Sequence, residues 1–291
     1  MSPDSSGNHS GADTRSVSVH GHHVRVRVRG QGEPLLLLNG ATRPLESWDA
    51  FAAAVPGRRL VCFDVPGVGL SPTPLLPLTI PVLAKVSLGV LAAVDVEGPA
   101  DVLGFSFGGA VAQQLALQSP DRVRRLVLLN TSCGVGATPG SRDALSAVGR
   151  PPGAPWPLPD PVGAMWHLLA LSCWSSIPFL GALRAPTLVV AGTRDRVVPP
   201  SNSRVLARRI PGARLVELPR VGHDVQRDRA VVEVAGAVRR FLDPPDPGTR
   251  NGRATPQSAQ AAPAPQTAQA AQAAQAAQGP QAPRREKVGP R

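Results

Sequence analysis

Ser106 stands in Gly104-Phe105-Ser106-Phe107-Gly108-Gly109, a G-x-S-x-G pattern that sets a hydroxyl among small neighbours. On a sharp strand-to-helix turn such a hydroxyl is lifted clear of the backbone, and glycines are needed where the chain doubles back. Alone the pattern is weak: with 29 glycines in 291 residues, roughly 0.2 matches arise by chance, as for any short motif. Two further residues give it weight. Asp195 lies in a turn after one apolar run, His223 follows Gly222 in a loop after another, and no other histidine lies downstream of Asp195. The order serine, acid, histidine is the one expected when such a turn supplies a nucleophile. The chemistry would be acyl transfer, with His223 taking the Ser106 proton and Asp195 orienting the imidazole and stabilising its cation. The backbone N–H groups of Phe107 and Ala41 are expected to form the oxyanion hole. Blander readings stand beside these. Ser106 could be an ordinary turn serine, Asp195 a turn-former or helix cap, and His223 a solvated loop residue.

Those residues need strands to end beneath them. Leu35 to Leu38, Leu60 to Asp64, Val102 to Leu103, Leu126 to Asn130 and Thr187 to Ala191 are short runs apolar on both faces, which suits buried parallel strands. Ser16 to His20 and Val24 to Arg29 alternate apolar and polar residues around Gly21, the pattern of a hairpin with one solvated face. Helices are expected over Leu45 to Ala54, from Pro81 with a stripe of Val82, Val86, Val90 and Val94, over Ala110 to Gln118, over Asn202 to Ile210 and over Arg229 to Leu242. A strand is expected over Arg214 to Leu218. Alternating strands and helices imply an α/β fold, a mostly parallel eight-stranded sheet with helices on both faces and its site at the carboxyl ends of the strands. The stretch between Asn130 and Thr187 is too long for a simple crossover and is expected to hold a short helical cap at 131–185, with a proline-rich part from Gly149 to Pro161. The core is then 15–130 and 186–243. Residues 1–14 are polar and 244–291 are rich in Pro, Ala and Gln, and both are expected to be disordered tails.

The net charge of +11 invites a nucleic-acid partner, but six of the 31 Lys and Arg lie in the tail and the rest are scattered, without interleaved aromatics. No nucleic-acid binding is expected. Cys62, Cys133 and Cys173 have no C-x-x-C spacing and read as reduced core residues. No metal or cofactor is expected: His20, His22 and His23 read as turn histidines, since no carboxylate or thiolate accompanies them. No secretory signal or transmembrane run is visible, so a cytoplasmic protein is expected; its oligomeric state is left open.

With these residues in hand, positions 35 to 242 resemble an α/β-hydrolase, and more narrowly the intracellular medium-chain-length poly(3-hydroxyalkanoate) depolymerases. The resemblance rests on Asn39-Gly40, Phe63 to Gly69, Phe105 to Ala110 with Gln113-Gln114, Cys173 to Ile177 before Ala185 to Val189, and Gly222-His223. Phe107 stands where that family has tryptophan, and the cap is shorter. The resemblance implies hydrolysis of 3-hydroxyacyl esters in a stored polyester, with Ser106, Asp195 and His223 as triad. Asn39, Phe105, Trp166 and Trp174 are expected to touch substrate, and Trp156, Trp166 and Phe179 to dock on a polyester granule. Two other readings keep the fold: an esterase, lactonase or thioesterase acting on a small soluble substrate, and a noncatalytic scaffold that binds a ligand or partner.

Overall fold

The structure is a computed structural model that describes residues 12–146, 160–226 and 228–243. The expectations for 1–11, for the proline-rich stretch up to 159 including Trp156, and for the tail 244–291 lie outside the described residues. Within them the chain forms β1 (Asp13–Val19), β2 (His22–Arg29), β3 (Glu33–Leu38), α1 (Asp49–Ala54), β4 (Arg58–Phe63), α2 (Ile80–Ala93), β5 (Ala100–Phe105) and α3 (Phe107–Gln118). It continues through β6 (Val123–Leu129), α4 (Arg142–Ser146), α5 (Pro161–Ser172), β7 (Thr187–Gly192), α6 (Pro200–Arg209), β8 (Arg214–Leu218) and α7 (Asp228–Leu242). β1 starts at Asp13, so the expected tail ends two residues early. Its first residues pair with the far end of β2, Asp13 opposite Val28, and the hairpin register carries them into the sheet.

The described strands form one eight-stranded sheet in the order β1-β2-β4-β3-β5-β6-β7-β8. β1 and β2 run antiparallel to each other, β2 runs antiparallel to β4, and the remaining pairs are parallel. Period-two alternation divides each central strand between two apolar layers. Leu36 and Leu38 point into a layer with Val86 and Val90 of α2 and Leu115 of α3. Leu35 and Leu37 point to the other face, against Trp48, Phe51 of α1 and Val234 and Val238 of α7. Each such fully buried leucine contributes about 1.5–3 kcal/mol relative to exposure, so a one-residue slip of β3 would exchange four leucines between layers and is strongly disfavoured.

α2 buries Leu83, Val86, Val90 and Leu91, while Val82 is exposed. Three of the four valines expected from spacing, Val86, Val90 and Val94, are fully buried; Val82 lies at the margin of the packed face, which Leu83 and Leu91 widen. Cys62 and Cys133 are buried, but Cys173 is exposed. It follows the last turn of α5, at the edge of the molecule, so the expectation of three core cysteines is corrected there.

Several arginines pair with carboxylates. Arg58 and Arg124 bind the fully buried Asp101 at 2.6 and 2.8 Å, near the amino ends of the strands. Arg27 binds Asp49 at 2.8 Å and Arg204 binds Glu217 at 2.8 Å on the flanks.

Candidate active site

β5 runs between β3 and β6 and ends at Phe105, and α3 starts at Phe107, leaving Ser106 alone to reverse the chain. Its backbone sits at φ 52° and ψ −117°, a left-handed conformation that costs a non-glycine residue on the order of 1–3 kcal/mol and persists only where its surroundings impose it. Here they do. The Ser106 N–H donates to Leu129 O at 2.9 Å, and its carbonyl accepts from Gly109 N at 2.9 Å and from Thr131 Oγ1 at 2.6 Å. Glycine at 108 lets α3 cross the sheet at backbone contact, since a Cβ there would lie 2.2 Å from the Leu38 carbonyl oxygen.

The loop after β8 brings His223 over this turn. His223 Nε2 lies 3.1 Å from Ser106 Oγ, and Nδ1 lies 2.7 Å from Asp195 Oδ2. A carboxylate accepts, so Nδ1 carries the proton and Nε2 presents its lone pair to the hydroxyl. Asp195 follows β7, and its side chain is 1% exposed against 10% for His223. Its other oxygen, Oδ1, accepts from Val197 N at 2.9 Å and Val198 N at 2.8 Å. Asp195 thus forms the turn of the blander reading and also binds the imidazole, one oxygen for each. Phe105, with its ring centroid 5.1 Å from that of His223, supports the imidazole from below.

The loop after β3 meets the serine from the other side. A Cβ on Gly40 would lie 3.5 Å from Ser106 Cβ, so the residues around Ala41 border the hydroxyl directly. The Gly40 N–H is already taken by Asn39 Oδ1 at 3.1 Å. Phe107 is the first residue of α3, where an N–H has no intrahelical acceptor.

Several side chains that sequence reasoning missed hold these loops together. Asn130, at φ 44°, directly follows β6; its Nδ2 donates to Gly222 O at 2.9 Å and His223 O at 3.1 Å, and its Oδ1 accepts from Gly192 N at 2.8 Å. Together with Thr131 it fastens all three loops to one strand end. A polar pair directly after an apolar strand, at the carboxyl edge of a parallel sheet, is a signal that could have marked it. Arg43 donates to Asp224 Oδ1 and Gln226 Oε1, both at 3.1 Å, and lies 5.3 Å over the Phe105 ring. Asp224 and Gln226 thereby tie the histidine loop to the loop after β3. No spacing marked Gln226.

Of the expected substrate contacts, Asn39 and Phe105 have other places. Asn39 is fully buried; its Nδ2 faces Arg43 O, Pro44 O and Ser47 Oγ at 2.7–3.0 Å, and its Oδ1 accepts from Gln226 Nε2 at 2.9 Å. All its polar capacity is committed to the loop. Phe105 is fully buried because period-two alternation turns it into the core beneath His223. Trp174 is buried, donating from Nε1 to Gln114 Oε1 at 2.8 Å, and so fastens the end of the insertion to α3. Trp166 is half-buried and donates to Pro74 O at 3.1 Å. Phe179 is half-buried against Trp174, with centroids 6.1 Å apart, and is not a free docking residue.

α5 lies across the loop after β4. A Cβ on Gly163 would sit 2.1 Å from the Gly67 carbonyl oxygen, so the two backbones touch. His167, 3% exposed, stacks on Phe107 at 4.7 Å and binds Pro66 O through Nε2 at 3.2 Å, leaving Nδ1 buried without a partner. Burial lowers its pKa to about 4, against a smaller opposite effect from the Pro66 carbonyl. The loop beneath is shaped by Asp64, which accepts from Leu45 N at 2.7 Å and Leu70 N at 3.0 Å. Burial pushes the Asp64 carboxyl up, opposed by those two N–H groups and by the Arg25 cation. Among the described residues no group of three or more His, Cys, Asp or Glu side chains is arranged to hold a metal, and no helix is long and apolar enough to cross a membrane.

A serine turn after β5, an aspartate after β7 and a histidine after β8 thus meet at the carboxyl ends of one mostly parallel sheet. The chain belongs to the α/β hydrolase fold family, whose profile matches residues 33–148 and 147–230, and it is a hydrolase of that fold. It is 35% identical over 235 residues to a poly(3-hydroxyalkanoate) depolymerase of Ectopseudomonas oleovorans, covering 69% of this chain and 83% of that protein. It is 28% identical to a 2-hydroxymuconate semialdehyde hydrolase of Pseudomonas putida, over 78% of this chain and 93% of that protein. Among solved structures, a hydrolase from Pseudomonas aeruginosa PA01 superposes with a TM-score of 0.70 at 29% identity, covering 82% of this chain and 99% of that one.

Proposed function

We propose that the protein is a serine hydrolase that cleaves the ester bonds of a poly(3-hydroxyalkanoate) or its oligomers, acting in the cytoplasm at the polymer surface. The observation that carries the reaction type is the line from Ser106 Oγ to His223 Nε2, 3.1 Å, and from His223 Nδ1 to Asp195 Oδ2, 2.7 Å, beginning at a residue held at positive φ.

As Ser106 Oγ attacks the ester carbon, its proton passes to His223 Nε2 and the carbonyl π electrons move onto oxygen. The N–H groups of Phe107 and Ala41 receive that oxyanion, and Asp195 stabilises the imidazolium. Collapse expels the alkoxide, which takes the proton from Nε2 and leaves as a hydroxyl end, with Ser106 acylated. Water then repeats the sequence with His223 as base, releasing the acid and restoring the serine. No step needs a cofactor.

The polyester is supported by the similarity to the depolymerase over 235 residues. A small soluble substrate is the second reading, favoured by similarity along 78% of the chain to a hydrolase of 2-hydroxymuconate semialdehyde. A fluorophosphonate probe is expected to label the wild type and not Ser106→Ala. Equal labelling of both would remove the nucleophile and favour a noncatalytic scaffold. An amorphous medium-chain polyester suspension and short nitrophenyl esters then separate the two enzyme readings: clearing of the suspension is expected, and turnover of the soluble esters alone would overturn the depolymerase.

A further inference from the structure

A cavity of about 400 Å³ opens between the C-terminal half of α5 and the start of α2. Leu78, Thr79 and Ile80 form one wall, and Leu169, Ala170 and Trp174 the other. None of Ser106, Asp195, His223, Phe107 and Ala41 lines it. Its volume lies in the range of about 300–1,000 Å³ usual for small-ligand sites.

Its surroundings define what it would hold. The loop 65–79 contains no Asp, Glu, Lys, Arg or His, and the stretch 161–179 contains only His167, which is buried. Next to the cavity Leu75 is 97% exposed, Leu76 75% and Leu168 62%. Exposed large apolar side chains flanking a cavity in sequence are of the kind that marks an interaction site. In a chain of net charge +11, these two stretches carry no cation for a fatty-acid carboxylate, a phosphate or an anionic membrane, the first on α2 being Lys85, one turn beyond Pro81, so the occupant that they match is neutral as well as aliphatic. One helix, α5, links the cavity to the serine turn. His167 packs on Phe107, beside Ser106, and Ala170 is three residues further along the same helix, an axial advance of about 4.5 Å.

We infer that the cavity is a second subsite of the proposed polyester hydrolase: it takes an aliphatic side chain of an uncharged polyester strand laid along α5, in a repeat unit beyond the ester presented to Ser106. The subsite rests on the depolymerase reading for its ligand. A single hydrolytic site can be saturated by one ester, whereas a second grip along the strand favours long chains over fragments by raising the effective concentration of the next bond.

Cys173 lines the cavity and is exposed, whereas Cys62 and Cys133 are buried, so its alkylation reports occupancy. In the full chain carrying Ser106→Ala, iodoacetamide is to react with Cys173 with and without a methyl-capped 3-hydroxyoctanoate oligomer. Saturating oligomer is expected to slow the reaction about tenfold, as occupancy well above the dissociation constant requires. Thr79→Trp, at an exposed position whose side chain makes no capping bond, should abolish that protection by filling the cavity. Undiminished alkylation, or equal protection in Thr79→Trp, overturns the subsite whether or not the wild type cleaves polyester. Protection without polyester turnover keeps the cavity as a chain-binding site and overturns the depolymerase reading alone. Alkylation that slows with protein concentration, without oligomer, assigns the cavity to a contact between copies and overturns the proposal. In the active protein, Leu169→Glu should lower the ratio of polyester to short-ester turnover about tenfold, since it puts a charge where an alkyl chain must desolvate; an unchanged ratio overturns it.

Discussion

Asp195 divides its carboxylate between a turn and an imidazole, and the two jobs separate on substitution. Asp195→Asn keeps Oδ1 as acceptor for Val197 and Val198 but can offer an N–H to His223 Nδ1, which then presents a proton to Ser106 instead of a lone pair. Turnover of a nitrophenyl ester is expected to fall about 10⁴-fold with little change in Tm; a loss mainly of Tm would show that the turn was its whole role. Asn130 touches no reacting atom and acts by position. Asn130→Ala releases Gly222, His223 and Gly192 together, and kcat should fall about 100-fold, the effect of misplacing reacting groups by an ångström, while KM for a short ester changes little. At this scale the three residues of the proposed triad were legible because their order and their places after apolar runs are local facts. Asn39 and Phe105 were misread because what decides them is non-local: Gln226, 187 residues on, takes Asn39 Oδ1, and the pleat turns Phe105 inward.

α5 meets the first residue of α3 through the stack of His167 on Phe107, and His167 makes that contact sensitive to acid. Its pKa of about 4 in the folded protein lies below the ordinary value near 6.5, so between those limits the unfolded chain binds a proton that the folded chain refuses. Stability is complete above pH 6.5 and declines as pH falls toward 4, by on the order of 3 kcal/mol for that group. His167→Phe keeps the stack and cannot protonate, so its Tm should fall less over that interval; parallel curves for the two proteins would refute this. Helix and strand positions were legible from apolar runs and their periods. The seating of α5 was not, because it depends on Gly67 meeting Gly163 across the surface, a coincidence that neither segment announces.

For the molecule as a whole, the parallel sheet separates its two ends by task. Asp101, fully buried near the amino ends of the strands, holds Arg58 and Arg124. Asp101→Ala strands those cations and is expected to cost about 3–5 kcal/mol of stability, read as a lower Tm. The rate of fluorophosphonate labelling per folded molecule should be retained; loss of both would mean that the two ends are coupled. Composition gave the sign and size of the charge but not this partition, which needed the strand order. The opposite end carries a consequence of another kind. Asn130 and Thr131 tie the three loops that carry Ser106, Asp195 and His223 at the very root from which the segment leading to α5 departs. None of those ties comes from a described residue between that root and β7. A chimera carrying a relative's segment after Ser132 should inherit the donor's substrate preference and still react with a fluorophosphonate, which makes this junction a natural place for the fold to acquire new specificities by exchange.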